Sequence, residues 1–484
     1  MTSRVLDVGT FNLHLTVMES LPVELISYVA EQLEQYEVVR QCSPYFTSME
    51  DATSTADCAG WLVHNAISRR DLSNFRFTCR TMYNGSLPAF GRILGSRVFR
   101  KSRIGLKDLE DISSCVDLRP HVRTLTFGTA EFNDPTYNTI YQDIFRTIPE
   151  PDRSKLMDAY DIEYSWEFLN NYHEEHSTYR EDLSAALRKF PNLGEVRLSE
   201  NDYPRALGHL GQWLGPGDKE TLDRALESWG RARGQLLYRC GNYDSLRSIA
   251  EALRDATTTI RVLRLGRNTD IERVAFDPSD VTDVFFSTLR KLSMDIDPES
   301  LCDTKWAQSR NPFSFFTRLS HITELSISMG CPERYSDVVD HTSVFHTLLR
   351  PLNRLTTLAI YGSWYFPQAE LAALVSNFST SLTNFTLIGP MIPRGSLVTA
   401  LQSILALSMP HMRHLELSDM VEGDPVGNYT RKLSKRFKPA FDDANWQDLI
   451  NEIRPGVEQY ASYDVILSSG KNEYTFSPRS AVIL

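Results

Sequence analysis

The chain has 484 residues, 42% hydrophobic and 23% charged, and a net charge of −11 from 51 basic and 62 acidic side chains. This is ordinary globular composition with apolar material for a large core, and the acidic balance argues against general nucleic-acid binding. No stretch approaches the roughly 20 apolar residues that span a bilayer, and the seven scattered cysteines, none spaced as CxxC, read as reduced thiols rather than a disulfide scaffold or zinc ribbon.

Residues 1–19 form an N-terminal arm with one early arginine, Arg4, and no small-residue cleavage pattern. No secretory signal is expected there, so the expected location is cytoplasmic, nuclear or both. Next comes "LPVELISYVAEQL", residues 21–33. Its Leu25, Ile26, Val29, Ala30 and Leu33 fall at helical spacing, and Pro22 suits a helix start. A helix this short is marginal alone, so its stripe must be covered by something.

A second amphipathic run, "DLSNFRFTCRTMYN" at 71–84, places Leu72, Phe75 and Cys79 on one helical face, extended by Phe77 and Met82. The residues between are polar and loop-like at first, with a short helix expected around "CAGWLVHNAI". Residues 69–107 carry ten Lys or Arg and only Asp71 as an acid, about +9 in a chain whose remainder is near −20. That asymmetry reads either as an acidic partner's surface or as solvated arginines.

These two runs resemble the F-box. Its pattern, Leu-Pro-x-Glu-Leu…Leu and then Asp-Leu-x-x-Leu-x-Leu-Val-Cys-Arg, is met by Leu21, Pro22, Glu24, Leu25 and Leu33, then by Asp71, Leu72, Phe75, Phe77, Cys79 and Arg80. Thr78 stands where Val is usual, and the halves lie 71 − 33 = 38 positions apart, an insertion at about 34–68. Insertions of that kind are tolerable because closure cost rises slowly with loop length. The resemblance implies a module over 20–105 that docks the Skp-type adaptor, and through it a cullin, of an SCF ubiquitin ligase. It implies adaptor contacts at Leu21, Pro22, Leu25, Ile26, Val29, Leu72, Phe75 and Cys79, each with the alternative of packing inside the chain's own helical cap. The following "RILGSRVF" strand, "LKDLEDISSC" helix and "HVRTLTF" strand resemble the arrangement in fungal-type F-box proteins.

From 106 to 420 one pattern recurs: "VRTLTF" (122), "LGEVRL" (193), "IRVLRL" (260), "LRKLSM" (289), "ITELSI" (322), "LTTLAI" (355), "LTNFTL" (382) and "MRHLEL" (412). Five consecutive intervals are 27 to 33 residues, and several copies follow helix-like segments such as "LRSIAEALRDATTT". A helix, turn and short strand repeated this way marks an α/β solenoid. The six-residue core resembles a degenerate leucine-rich repeat; Asn201 and Asn268 fall where that repeat wants Asn, six copies lack it, and the period exceeds the usual span of about 20–29. The expected fold is thus α/β: a small N-terminal helical F-box-like module followed by a leucine-rich-repeat-like α/β solenoid. Inserts are expected at about 134–180 and 203–245, with a linker and C-terminal cap over 421–484 in which "YDVILSSGKNEYTF" reads as a hairpin.

No catalytic constellation emerges, and neither a metal nor a cofactor is called for. "HEEH" at 173–176 lacks the HExxH spacing, "GPGDKET" at 215–221 lacks the P-loop ending, and "RKLSKRFK" at 431–438 is a basic run better read as a solvated face. The variable strand positions are expected to line a concave, substrate-facing surface: Arg197, Arg264, Lys291, Ser293, Glu324, Ser326, Thr357, Thr386, His414 and Glu416, joined by Arg267, Asp295, Tyr361 and Asp419 just beyond them. Such a surface suits a protein segment better than a small molecule. The expected function is the substrate-recognition adaptor of an SCF-type ligase, with no nucleic-acid or membrane partner. The alternatives are a scaffold outside any ligase and an enzyme with a site built from distant residues.

Overall fold

The computed structural model describes residues 21–39, 61–128, 178–199, 244–265, 286–296, 318–329, 349–362, 366, 368–392, 397–418, 421–422, 464–469 and 472–477, with single positions between 146 and 165 and between 451 and 457. The expected inserts at 134–180 and 203–245, Arg267, Asp419, both repeat asparagines and the 431–438 run lie almost wholly outside these.

Helix α1 (Val23–Gln32) starts one residue after Pro22, whose carbonyl accepts the amides of Leu25 and Ile26. Strand β1 (Tyr36–Val39) pairs antiparallel with β2 (Trp61–His64), from Tyr36↔His64 to Val39↔Trp61. The helix expected across "CAGWLVHNAI" is therefore a strand that gives way to α2 (Ala66–Arg76). Asn65 ends the strand and caps that helix, its side-chain oxygen accepting the Ser68 amide at 2.8 Å. α3 (Arg80–Gly85) and α4 (Leu87–Gly95) follow. The strand expected at "RILGSRVF" begins as the end of α4, and only Val98–Arg100 (β3) is extended. Helix α5 (Arg103–Ser114), capped by Ser102, leads through a 3-10 turn at Arg119–His121 to β4 (Thr124–Gly128).

Each of the eight recurring segments forms a strand: after β4 come β5 (Glu195–Ser199), β6 (Val262–Leu265), β7 (Lys291–Ile296), β8 (Glu324–Met329), β9 (Thr357–Tyr361), β10 (Asn384–Ile388) and, past a two-residue β11 (Met391–Ile392), β12 (His414–Ser418). A short β13 (Val421–Glu422) pairs with β11, and β14 (Asp464–Ser469) and β15 (Asn472–Phe476) make the expected antiparallel hairpin. Eleven strands, β3 to β10, β12, β14 and β15, lie in chain order in one open sheet, parallel except for the last pair. Helices α6 (Tyr179–Leu187), α7 (Asp244–Asp255), α8 (Gln368–Ser376) and α9 (Leu397–Leu405) supply crossovers. The chain is thus a mixed α/β protein built on an open, mostly parallel sheet.

Period-two alternation places one apolar side chain of every strand at the same depth. Val196, Leu263, Leu292, Leu325, Leu358, Phe385, Leu415 and Val465 form one buried row, packed with helix residues such as Leu183, Leu253, Leu371 and Leu401. The residue just ahead of each strand belongs to a second row. Gly194, Arg261, Arg290, Thr323, Thr356, Thr383 and Arg413 each donate the backbone amide to the carbonyl of the preceding member, starting from Arg123. Thr323, Thr356 and Thr383 add a hydroxyl bond to the same carbonyls.

Helix α4 joins the N-terminal helices to the sheet because its two faces differ. Ala89 and Ile93 turn toward Ala30 of α1 and Leu72 of α2 in a small separate core. Gly91 and Gly95 turn toward the sheet, and a Cβ on Gly91 would intrude on the His121 carbonyl while one on Gly95 would stand 2.9 Å from Thr124 Cβ.

Candidate functional site

The apolar arc of α1 is divided lengthwise. Ile26 and Ala30 are buried, Ile26 against Gly85 and Ala30 against Leu72, Ala89 and Ile93. Leu25 and Val29 point away from this core and are 51% and 43% exposed, with Tyr28 beside them at 60%. At about 100° per residue, Leu25, Tyr28 and Val29 make one outward stripe, and Ile26, Ala30 and Leu33 an adjacent inward one. Two residues expected to contact an adaptor are corrected here: Ile26 and Leu72, 1% and 0% exposed, are core residues of the chain's own helices. They face inward because α4 brings Ala89 and Ile93 against them, which spacing within either helix does not encode.

Leu21, Phe75 and Cys79 are half-buried and Pro22 is exposed. Phe75 packs at the edge of the small core. Phe77, expected to extend the face of Leu72, Phe75 and Cys79, is 87% exposed, and Ile67 in the first turn of α2 is exposed as well. Met82 is buried. Thr78 is exposed with its hydroxyl on the Asn74 carbonyl at 3.2 Å, so the departure from Val buries no unsatisfied group. Of the nine exposed large hydrophobics among the described residues, seven lie between Val23 and Phe77, so this surface is concentrated in the N-terminal helices. Tyr28 was legible as the partner of Leu25 and Val29 at i+3 and i−1; Ile67 carried no pattern.

The ends of the insertion are tied together at its base. His64 Nε2 hydrogen-bonds Glu34 Oε1 at 2.8 Å, Arg92 donates to both Glu34 oxygens, and the Tyr36 hydroxyl donates to Glu34 at 3.1 Å. Burial pushes the Glu34 carboxyl up, but the bonds from His64 and Arg92 outweigh it and hold it at about 2. The Asn65 amide donates to the Gln35 carbonyl at 3.0 Å. With β1–β2 zipped in this way, α1 and α2 both pack against α3 and α4 in spite of the 38-position gap. Behind them the Arg76 guanidinium is buried between the rings of Tyr83 and Phe90, 4.1 Å from each centroid.

The second candidate surface is the face of the sheet opposite the apolar rows. Register brings Arg197, Arg264, Ser293, Ser326, Thr386 and Glu416 to equivalent positions on successive strands, with Ala359 completing the row. Lys291, Glu324, Thr357 and His414 share the neighbouring row, and Asp295 and Tyr361 the next. Ser293 is corrected: it is 4% exposed and offers no surface, since so short a side chain is outreached by Arg264 and Lys291 alongside.

The charges on this face are matched to one another. Glu195 Oε1 accepts from the Nε atoms of Arg197 and Arg264, both at 2.7 Å, and Lys291 Nζ reaches Glu324 Oε2 at 2.7 Å. Burial raises the Glu195 carboxyl, but Arg197 and then Arg264 outweigh it, so its pKa is lowered. The Thr386 hydroxyl donates to Glu416 at 3.4 Å. Burial, and then the Glu416 charge, push the Tyr361 phenol up. The surface is polar and of mixed sign.

Among the described residues, no group of three or more His, Cys, Asp or Glu could hold a metal ion, and no helix is long and apolar enough to cross a membrane. Compared with known protein families and curated proteins, the chain matches no family model and no curated relative.

Proposed function

We propose that this chain is an F-box-type adaptor, in which the N-terminal helices dock a Skp-type protein of a cullin-based ubiquitin ligase and the sheet-bearing body, a leucine-rich-repeat-like solenoid, holds a protein substrate. The observation that carries the reading is the outward stripe of Leu25, Tyr28 and Val29 on a helix that already has a complete inner face. Among the described residues nothing covers these three side chains of the ten-residue helix, whereas a partner that covered them would gain roughly 1–2 kcal/mol from each anchor. The quoted match of both helical runs to the F-box pattern names the partner class. In-register parallel strands with apolar rows behind and polar rows in front support the solenoid reading of the body. Ubiquitin transfer would then be accelerated by positioning the substrate, with no catalytic side chain from this chain, in the cytoplasm or nucleus.

A second reading, a binding scaffold outside any ligase, is favoured by the loss of Ile26 and Leu72 to the chain's own core. Co-purification with a Skp-type adaptor separates the two. The wild-type chain should capture the adaptor, and the Leu25→Ala, Val29→Ala, Phe77→Ala triple variant should lose capture while melting at an unchanged temperature. Undiminished capture by that variant rejects this docking face, and no capture by wild type favours the scaffold.

A further inference from the structure

The row of residues just ahead of the strands carries chemistry that the apolar stripe and the polar sheet face leave unused. Its first four members are Arg123, Gly194, Arg261 and Arg290. Adjacent strands lie about 4.8 Å apart, so Arg123 and Arg261 stand about 10 Å from each other along the row. Gly194 between them projects no side chain, and a Cβ built there meets nothing within 4 Å. The result is a groove of about 610 Å³ with Arg123 and Arg261 on its walls and Arg188 at the end of α6 facing in.

Among the described residues no carboxylate lines this groove, although the chain as a whole is acidic. Arg188 donates to the Asp255 carbonyl at 3.0 Å, an ordinary way to finish a helix C-terminus. Arg123 and Arg261 are different. Both side chains are exposed, and among the described residues neither makes a hydrogen bond or an ion pair. Arg197 and Arg264 on the sheet face, by contrast, share the Glu195 carboxylate. The far wall is Thr257–Thr259, where Thr257 holds the left-handed conformation, φ 56°, that helix ends usually give to glycine. Its amide bonds to the Arg254 carbonyl and that of Thr258 to the Leu253 carbonyl, so this wall is held by the end of α7.

We propose that this groove binds a phosphoryl group, held between Arg123 and Arg261 over the bare backbone of Gly194. A phosphoryl dianion offers three oxygens to guanidinium forks that present planar pairs of donors, which suits a pair of arginines better than a single carboxylate does. A nucleic-acid backbone would need cations continuing along the row, and beyond Arg290 three successive members, Thr323, Thr356 and Thr383, are uncharged before Arg413. The chemistry of the groove is independent of whether the N-terminal helices dock an adaptor.

The test is calorimetric titration of the full chain with two sources of the group, pyrophosphate and a Gly-Ser heptapeptide bearing one phosphoserine, with the unphosphorylated and Ser→Glu peptides as controls. At least one phosphorylated probe should bind, the peptide alone indicating a protein-borne phosphate and pyrophosphate alone a free one. The Arg123→Gln, Arg261→Gln double variant and Gly194→Glu, which places a carboxylate in the open floor, should each weaken that binding at least tenfold with melting temperatures unchanged. Failure of both phosphorylated probes to bind, equal binding by the Ser→Glu peptide, or binding undiminished in both variants would overturn the assignment.

Discussion

Arg92 on α4 grips Glu34, 58 positions earlier, from Nε at 2.9 Å and Nη2 at 2.7 Å. This pairing closes the base of the insertion against the helix that joins both parts of the chain. The Glu34 carboxyl titrates at about 2 when folded against an ordinary 4.5, so its contribution is full above about pH 4.5 and fades as pH falls toward 2. Discounted for the partly exposed Arg92, it is about 2 kcal/mol. Glu34→Gln should lower stability by that amount at neutral pH and leave it nearly unchanged near pH 2, as thermal melts across the range would read.

Gly91 faces the carbonyl oxygen of His121, a backbone atom that cannot step aside. Ala at this position gains helix propensity of up to about 1 kcal/mol yet forces apart α4 and the turn before β4, at a cost of about 1–3 kcal/mol. Gly91→Ala should therefore be net destabilising and raise protease sensitivity between the N-terminal helices and the sheet. An equal or higher melting temperature would show that the two surfaces do not meet closely.

The division of the α1 arc predicts opposite behaviour for neighbouring residues. Leu72→Ala should cost about 2–5 kcal/mol, because it opens a cavity beside Ala30, Ala89 and Ile93. Leu25→Ala, on an exposed site, should stay within about 0.5 kcal/mol. Chemical denaturation of the two single variants checks both values.

Glu195 is the shared acceptor of Arg197 and Arg264. Glu195→Gln leaves two half-buried guanidinium groups on adjacent strands without their common carboxylate and should cost about 1–3 kcal/mol. The deficit should shrink in the Glu195→Gln, Arg264→Gln double variant, which a double-mutant cycle measures.

Much of the fold was legible because its signals are local. The alternation in "ITELSI" or "LTNFTL" depends on side chains a few residues apart, and each such segment became a strand. The helix expected at "LKDLEDISSC", which runs Arg103–Ser114, and the closing hairpin were legible for the same reason. Where one residue's conformation depended on distant partners the reading failed: "WLVH" is extended because Tyr36–Val39 lies beside it, and "RIL" is helical because α4 must pass both the small core and the sheet.

Of the candidate sites, spacing marked the apolar arc and the variable strand positions but could not orient their members. A helical arc that is apolar over half its circumference says that something covers it, and is silent on which side its own chain takes. Packing against α4 assigned Ile26 and Leu72 inward, and strand register lined up Arg197 with Arg264 across 67 positions and left Arg123 and Arg261 flanking a glycine. The physical reason is range: helix and strand periodicity arise from neighbours a few bonds away, whereas burial, charge pairing and the company a side chain keeps are set by segments that meet after the chain has closed over dozens of residues.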